Sequence, residues 1–290
     1  MNWSPDWGLR ARMLLTVGLL AGLYAVFIGV LLTVNAGLLT IILVMGLFML
    51  GQLFFSDRLA LYSMGARAVS EEEYPELHAA VSRLSQQADL PVPTVAVSDT
   101  RVPNAFATGR SQATATVCVT SGLLKTLDAD ELEGVIAHEL AHIKNRDVMV
   151  MTLASFFSTL ALLVVRWGWL FGSGGDEESP PVFVAIIASF VVWILSFVLI
   201  RTLSRYREFA ADRGGAMITG RPSALASALA KISGKMERVP DRDLRENTEM
   251  NAFFIHPLKS GTISRLFSTH PSTDDRIARL RALEHELETV

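Results

Sequence analysis

Four long apolar runs interrupt an otherwise polar chain and decide its predicted architecture. They extend over about Met13 to Val34, Leu38 to Phe55, Val148 to Val165 and Val182 to Ile200. A bilayer core of about 30 Å needs roughly 20 helical residues to cross it, so runs of this length predict transmembrane helices. Only the turn signal Asn35-Ala36-Gly37 separates the first two runs, which predicts a membrane hairpin. The sequence therefore predicts four spans in two hairpins.

A cleaved signal peptide is the alternative interpretation of the first run. The run is long, it lacks a clear small-residue cleavage site, and another apolar run follows at once. We therefore expect the first run to remain as a membrane anchor.

Arginines flank the predicted spans mainly on one side, which predicts their orientation; Arg166, at the other end of the third run, is interpreted as an arginine that snorkels among the interfacial Trp167 and Trp169. Positively charged residues favour the cytoplasmic side of a membrane. The linker 172–181 between the third and fourth runs carries acidic residues and no basic one. The pattern predicts a multi-pass protein of the cytoplasmic (plasma) membrane with both termini in the cytoplasm. The arginines that flank the spans are Arg10, Arg12, Arg58, Arg67, Arg201, Arg205 and Arg207.

The predicted fold class is an α-rich integral membrane protein with about four transmembrane helices and a cytoplasmic α+β domain. Four regions follow from the apolar runs. They are an N-terminal transmembrane hairpin, 1–55; the first part of the cytoplasmic domain, 56–147; a second transmembrane hairpin, 148–201; and the second part of the cytoplasmic domain, 202–290.

Periodicity predicts the elements of the two cytoplasmic parts. Asp128 followed three residues later by Glu131 is a capping-box pattern, which is typical of a helix N-terminus. The segment between the last two predicted helices is expected to be irregular. The other predicted elements are helices over Tyr74 to Ala88, Pro222 to Met236 and Ser272 to Leu287, and strands over Pro93 to Val97 and Ala113 to Thr120.

Composition agrees with a membrane protein and gives little indication of a partner. The 290 residues are 50% hydrophobic with a mean hydropathy of +0.36, which is too apolar for an ordinary soluble protein. The formal net charge of -3 does not favour a nucleic-acid partner. The single cysteine, Cys118, excludes an intramolecular disulfide, and we interpret it as a small buried residue of a strand.

A metal-binding motif lies on the helix that Asp128 begins. His138-Glu139-Leu140-Ala141-His142 places two histidines four positions apart, so both imidazoles can reach one ion. Glu139 lies beside them, where its carboxylate can accept a proton from a metal-bound water. This arrangement is the hydrolytic half of a zinc protease, and it predicts one Zn²⁺ per chain.

A catalytic zinc has three protein ligands and an open position for water, so a third ligand must come from another part of the chain. His142 precedes the third run by about six residues, and Glu208 follows the fourth by about eight. Straight helices would then hold both roughly 10 Å above the membrane, which makes Glu208 the predicted third ligand. Asp212, on the same helical face, is expected to accept the second ring N–H of a ligating histidine. An exposed acidic stripe that balances Arg205 and Arg207 is the alternative.

These residues resemble the HtpX group of membrane-bound zinc metalloproteases, which are relatives of the CAAX prenyl endopeptidases. The resemblance extends over most of the chain and includes the spans. It implies a zincin-like catalytic domain and a quality-control endopeptidase that acts on misfolded or damaged membrane proteins. The residues by themselves imply only a zinc hydrolase near a bilayer. The matching segments are His138 to His142, Asn145-Arg146-Asp147, Ser204 to Asp212, Pro103 to Gly109 and Thr269-His270-Pro271-Ser272.

Two further sites are expected around the metal. His270, on a loop before a capped helix, is expected to stabilise charge on the scissile carbonyl oxygen, partly because of the resemblance. A solvated loop histidine is the alternative. The segment from Asn104 through Phe106 to Gly109 and the strand Ala113 to Thr120 are expected to offer an exposed edge to an extended substrate, with a plain surface loop as the alternative.

Other classes of function fit the sequence less well. Transport sites usually interrupt spans near the bilayer midplane, whereas the motif histidines and Glu208 lie outside the apolar runs. A closed structural zinc site normally has four protein ligands, often cysteines. A prenyl-dependent protease is the nearest enzymatic alternative, although its relatives have more spans. The expected partners are a lipid bilayer and membrane-protein or unfolded polypeptide substrates, with no nucleic acid and with the oligomeric state left open.

Overall fold

The computed structural model of the chain describes residues 7–33, 38–167, 182–236 and 271–289. Within these ranges it is rich in helices and contains a four-stranded mixed sheet. In chain order the elements are α1 (Trp7–Thr33), α2 (Leu38–Ser63), β1 (Ala66–Ala68), α3 (Pro75–Gln87), β2 (Thr94–Ser98), β3 (Ala105–Thr108), a 3₁₀ turn (Gln112–Thr114), β4 (Thr116–Thr120), α4 (Ser121–Leu124), α5 (Ala129–Lys144), α6 (Asp147–Trp167), α7 (Val182–Thr219), α8 (Pro222–Met236) and α9 (Thr273–Glu288).

The chain divides into two compact units. The apolar unit comprises Pro5–Ser56 and Val150–Ser204, and the polar unit comprises Met1–Ser4, Asp57–Met149 and Arg205–Val290. These boundaries lie close to those that the apolar runs indicate.

Helices α1, α2, α6 and α7 overlap the four apolar runs, and α7 continues well beyond its run, to Thr219. Among the described residues, Trp7–Gly29 and Ile186–Thr219 are long and apolar enough to cross a membrane. The bent pair Ala129–Lys144 and Asp147–Leu163 would be a third candidate if the two helices form one broken span. The four-span arrangement therefore stays a prediction, and its turn at Asn35-Ala36-Gly37 lies outside the described residues.

The apolar unit buries a small core and leaves many apolar side chains exposed. The Tyr24 hydroxyl donates a 2.6 Å hydrogen bond to the Ala154 carbonyl. Leu14 is 73% exposed and Ile187 is 57% exposed. Large apolar side chains at this exposure suit a lipid environment better than water. The buried core consists of Leu20, Tyr24, Phe27, Ala161, Val192 and Leu203.

The sheet of the polar unit has the strand order β1-β2-β4-β3. β2 and β4 pair in parallel, while β1 and β3 pair antiparallel with β2 and β4 respectively. The central strand β4 is apolar and fully buried at Val117, Cys118 and Val119, which is typical of a strand covered on both faces. Cys118 is thus the small buried residue that we expected.

Local turn chemistry shortens one of the two predicted strands. The strand predicted over Ala113 to Thr120 begins only at Thr116, because Gln112–Thr114 forms a 3₁₀ turn that Ser111 caps. The segment after Asn104 is the outer strand β3. β1 was not predicted, because three residues carry no detectable period.

The helices of the polar unit lie close to their predicted positions. α3 begins and ends one residue inside the predicted range, α8 has the predicted bounds, and α9 is shifted by one residue. The irregular segment predicted between α8 and α9 lies outside the described residues. α5 contacts α3, α8 and β3, and α8 also packs against α9. The helix with the metal-binding motif therefore lies at the centre of the polar unit.

A sharp break separates α5 from α6. Asn145 caps α5, and Arg146 has a left-handed backbone with φ of 55°. The two helix axes differ by 56°. The helix with the histidines therefore does not run straight into the following apolar helix, and the height derived for His142 from a straight helix is wrong. The left-handed residue ends the helical hydrogen-bond pattern before Asp147 starts a new helix.

Candidate metal centre

The helix of the metal-binding motif is fixed at its N-terminus. Asp128 accepts a 3.0 Å hydrogen bond from the Glu131 N–H, and Glu131 accepts one of 3.1 Å from the Asp128 N–H. This is the capping box that the sequence predicts. Lys231 of α8 donates to Glu131 at 2.7 Å and to Asp128 at 3.1 Å. The cap thereby also anchors α8 against the start of α5.

Two imidazoles from α5 and one carboxylate from α7 converge in the polar unit. The ligand atoms of His138, His142 and Glu208 all lie within 4.8 Å of one another. The two Nε2 atoms are 3.1 Å apart. The Glu208 carboxylate lies 3.7 Å from Nε2 of His138 and 3.5 Å from Nε2 of His142. Two nitrogens and one carboxylate at this separation can hold one metal ion.

His142 is oriented by a carboxylate that begins the next helix. Its Nδ1 lies 2.6 Å from Oδ2 of Asp147, the first residue of α6. The other oxygen of Asp147 lies 2.9 Å from Nε of Arg207. Burial opposes charge on His142, but the hydrogen bond that its Nδ1–H donates to Asp147 and the charge of Glu208 raise the pKa of His142 to about 9.

His138 is oriented by Asp212, one turn after Glu208 on α7. Its Nδ1 lies 3.0 Å from Oδ1 of Asp212. Arg276 of α9 donates two hydrogen bonds to the same carboxylate, of 2.8 Å from Nε and 2.6 Å from Nη2. The guanidinium also lies 3.5 Å from Glu208. α9 thus contributes a buried positive charge to the site.

The carboxylates beside the histidines are charged although they are buried. Burial alone would raise the pKa of Asp147, but His142 and Arg207 lower it. Burial would likewise raise the pKa of Asp212, but Arg276 and His138 lower it. Because an ionised carboxylate only accepts hydrogen bonds, each one favours a proton on the facing Nδ1. With the proton held on Nδ1, Nε2 of each histidine is the nitrogen that can give up its proton and bind a metal.

Glu139 lies in a different electrostatic environment from these carboxylates. Burial raises its pKa, and Glu208 raises it further, against the opposing effect of His138 and His142. Its carboxylate accepts a hydrogen bond from the Ala107 N–H of β3. A buried carboxylate with a raised pKa holds a proton more strongly than a solvated one and is suited to general base catalysis.

Sequence reasoning missed three of these residues. Asp147 was part of a quoted motif, and its position five residues after His142 was the available signal. Arg207 was interpreted only as a flanking or balancing charge. Arg276 follows the α9 N-cap by four residues, and no local pattern indicates that its guanidinium is 2% exposed.

The residues expected to bind substrate are buried, and the expectation that the strand Ala113 to Thr120 offers an exposed edge is wrong, because β4 pairs on both sides. Asn104 is fully buried and Phe106 is 3% exposed within the core. The Asn104 carbonyl accepts from the Thr120 N–H at 2.9 Å and so faces β4. Since alternate residues of a strand face opposite sides, Ala105 and Ala107 direct their backbone groups toward the outer edge. His270 lies outside the described residues.

A shallow surface cleft adjoins the metal centre. Its walls come from the end of β3, the following loop, the end of α5 and the start of α6. All of them belong to the polar unit. The lining residues are Ala107, Thr108, Gly109, Arg110, Ser111, Gln112, Ala115, His142, Ile143, Arg146, Asp147, Val148 and Met149.

Comparisons with known proteins give one family and one fold. Residues 71–284 match the model of peptidase family M48. A protease HtpX homolog of Moorella thermoacetica is 54% identical, over 98% of this chain and 97% of its own length. A second protease HtpX homolog, from Methanosarcina mazei, is 52% identical, over 99% of each chain. The crystal structure of Ste24p from S. mikatae has a TM-score of 0.53 at 16% identity and covers 94% of this chain. The match spans 66% of the length of Ste24p.

Proposed function

The chain belongs to peptidase family M48 and is a membrane metalloprotease, and we propose that it is an endopeptidase that uses one Zn²⁺. The proposed ligands are His138, His142 and Glu208. The observation that carries the proposal is the convergence of these three side chains from two helices, with Glu139 beside them.

The donor set fits zinc. Two imidazole nitrogens and one carboxylate are a known ligand set of catalytic zinc sites, which keep a further position open for water. The described residues offer no cysteine at the centre, since Cys118 is enclosed in β4. When bound, zinc polarises a carbonyl and lowers the pKa of its water toward about 7.

The surrounding residues perform the proton transfers and hold the geometry. Glu139 accepts a proton from the attacking water and delivers it to the leaving amine, since its raised pKa suits both steps. Asp147 and Asp212 hold the two imidazoles in one tautomer. His270 is proposed to donate to the scissile carbonyl oxygen, on the basis of the family resemblance.

The outer edge of β3 is the proposed binding place of the substrate backbone. Its groups at Ala105 and Ala107 face away from β4. Proteins commonly bind an extended peptide by adding it to such an edge. Asn104 and Phe106 are then proposed to support the strand from within the core, because their side chains are buried.

The proposed location is the cytoplasmic membrane, with four spans and with the catalytic centre and both termini in the cytoplasm. The flanking arginines and the acidic linker 172–181 support this orientation. The two long apolar helices of the described residues support membrane anchoring. The proposed substrates are misfolded or damaged membrane proteins, which such a centre can reach at the bilayer surface.

Replacement of Glu139 by glutamine tests the reaction. Glu139→Gln removes the base and keeps the proposed ligands, so cleavage of an unprenylated polypeptide should fall by at least about a hundredfold while zinc stays stoichiometric. Glu208→Ala should instead lose stoichiometric zinc. Purified proteins in detergent are compared by peptide cleavage and elemental analysis. Parental cleavage rates in Glu139→Gln would refute the mechanism, and unchanged zinc in Glu208→Ala would reject that ligand.

A further inference from the structure

Arg146 has an unusual backbone and lies beside the metal centre. Its φ of 55° is left-handed, a conformation that favours glycine and asparagine over other residues. The side chain is exposed. Within the described part of the chain no carboxylate forms an ion pair with it. An arginine at this position gives up backbone stability without gaining an ion pair among the described residues, which indicates that its charge serves a ligand.

The cleft next to the metal centre contains Arg146. His142 lines the same cleft, so anything that fills it lies beside a candidate metal ligand. The cleft also begins where β3 ends, at Thr108 and Gly109. It is therefore continuous with β3, on whose outer edge the Ala107 N–H is bonded to Glu139.

An extended substrate on β3 would lead directly to this cleft. Along the outer edge it passes Ala105 and then Ala107, whose N–H donates to Glu139. The next positions are Thr108 and Gly109, which line the cleft. A substrate residue close to the scissile bond would then place its side chain there.

The charge of the cleft favours an acidic side chain. Asp147 is buried and already binds His142 and Arg207. Arg110 lies 3.6 Å from Asp57. The charge of Arg146 remains uncompensated among the described residues, so the cleft offers a positive charge.

The wall of the cleft suits the aliphatic part of a longer acidic side chain. Ile143, Val148 and Met149 supply apolar surface beside Arg146. Methylene groups can pack on such a wall while a carboxylate reaches the guanidinium. Glutamate has this chemistry.

We propose that this cleft is a substrate subsite that selects an acidic residue, best glutamate, next to the scissile bond, with Arg146 as the residue that determines specificity. The subsite rests on the proposed endopeptidase function. The metal ligands and Glu139 act on the scissile bond and cannot by themselves give a preference for an acidic neighbouring residue.

The test compares the parent protein with Arg146→Gly and Arg146→Lys on a randomised decapeptide library. Glycine accepts the left-handed backbone, so Arg146→Gly should fold at least as stably as the parent. Sequencing of the products should show glutamate enriched about tenfold at one position near the cleavage site for the parent, because a charge-assisted hydrogen bond contributes about that factor. Arg146→Gly should lose the enrichment, and Arg146→Lys should keep it at reduced strength.

A matched control and the contrary outcomes separate this subsite from the proposed function. Arg67→Gln removes an arginine that pairs with Glu73 at 2.9 Å on β1, so the parental preference should persist. If the parent is active but shows no glutamate preference, or if the preference survives in Arg146→Gly, the subsite is refuted. The proposed endopeptidase function would be unaffected by either result. Failure of the parent to cut any peptide in the library would overturn both.

Discussion

Each histidine of the proposed metal centre contacts a carboxylate that is itself bound by an arginine. Asp147 connects His142 to Arg207, and Asp212 connects His138 to Arg276. Removing charges from water is costly, and a buried ion pair often contributes little net stability. The main effect of these ion pairs is therefore on geometry rather than on stability. A carboxylate held by an arginine fixes the ring orientation and the tautomer of the histidine that it contacts.

Substitution of Asp147 tests this effect on metal binding. Asp147→Asn retains an acceptor of similar shape but removes the charge that holds the proton on Nδ1 of His142. Affinity for zinc should fall by about 10- to 100-fold, as measured by competition with a chelator. Asp89→Asn is the matched control, since Asp89 is exposed and its left-handed backbone tolerates asparagine. Equal affinities in the two variants would contradict the role of Asp147.

The sequence predicted the helical part of this site better than its supporting contacts. His138, Glu139 and His142 share one helix, so their spacing alone places them together. Asp147 reaches His142 only because the chain breaks at Arg146, and Arg276 reaches Asp212 across 64 positions. Such contacts depend on tertiary packing, which has no periodic signal in the sequence.

At the level of elements, the site depends on the close approach of α5 and α7. A Cβ atom at Gly215 of α7 would lie 2.8 Å from the backbone N of His138 and 2.9 Å from its Cα. These distances are too short for any other residue without a shift of the helices. Glu208 lies about two turns earlier on α7. Gly215 therefore sets how near the carboxylate comes to the histidines.

The variant Gly215→Ala should separate the two helices. Overpacking against a backbone costs about 1–3 kcal/mol, and the displacement of Glu208 should also weaken zinc binding. Gly234→Ala on α8 is the control, because a Cβ there meets nothing within 4 Å. That exposed helical position should gain about 0.5–1 kcal/mol instead. Denaturant unfolding and zinc titration measure both effects, and equal behaviour of the two variants would show that the contact is unimportant.

Comparison of the predicted and observed elements shows which sequence patterns were sufficient to locate them. Periodicity located α3, α8 and α9 to within a residue, because each helix has several turns over which the pattern repeats, and the capping box located the start of α5. β3 has four residues, too few to separate a strand from an edge loop. The sequence did not predict the break after α5, because Arg146 takes a backbone conformation that its residue type does not indicate.

At the scale of the whole molecule, the buried cysteine makes the predicted membrane orientation testable. Cys118 is fully buried in β4, and burial together with the charge of Glu139 raises its pKa to about 12. Thiol reagents attack the thiolate, which is almost absent at neutral pH under these conditions. The native protein should therefore not react with thiol reagents at neutral pH. Any labelling of a variant with one introduced cysteine then reports the side of the membrane on which that cysteine lies.

Two single cysteines distinguish the predicted orientation from its reverse. Ser173→Cys lies in the acidic linker 172–181, and Thr289→Cys lies near the C-terminus. Since arginine-flanked segments favour the cytoplasm, a membrane-impermeant maleimide should label Ser173→Cys in intact cells and Thr289→Cys only after permeabilisation. The parent should stay unlabelled in both conditions and react only after denaturation. Labelling of both cysteines in intact cells would place them on the same side of the membrane, with an even number of crossings between them instead of the single predicted one. The reversed pattern would place the C-terminus outside. Either result would refute the cytoplasmic arrangement, because the positive charges would then lie on the side that they disfavour.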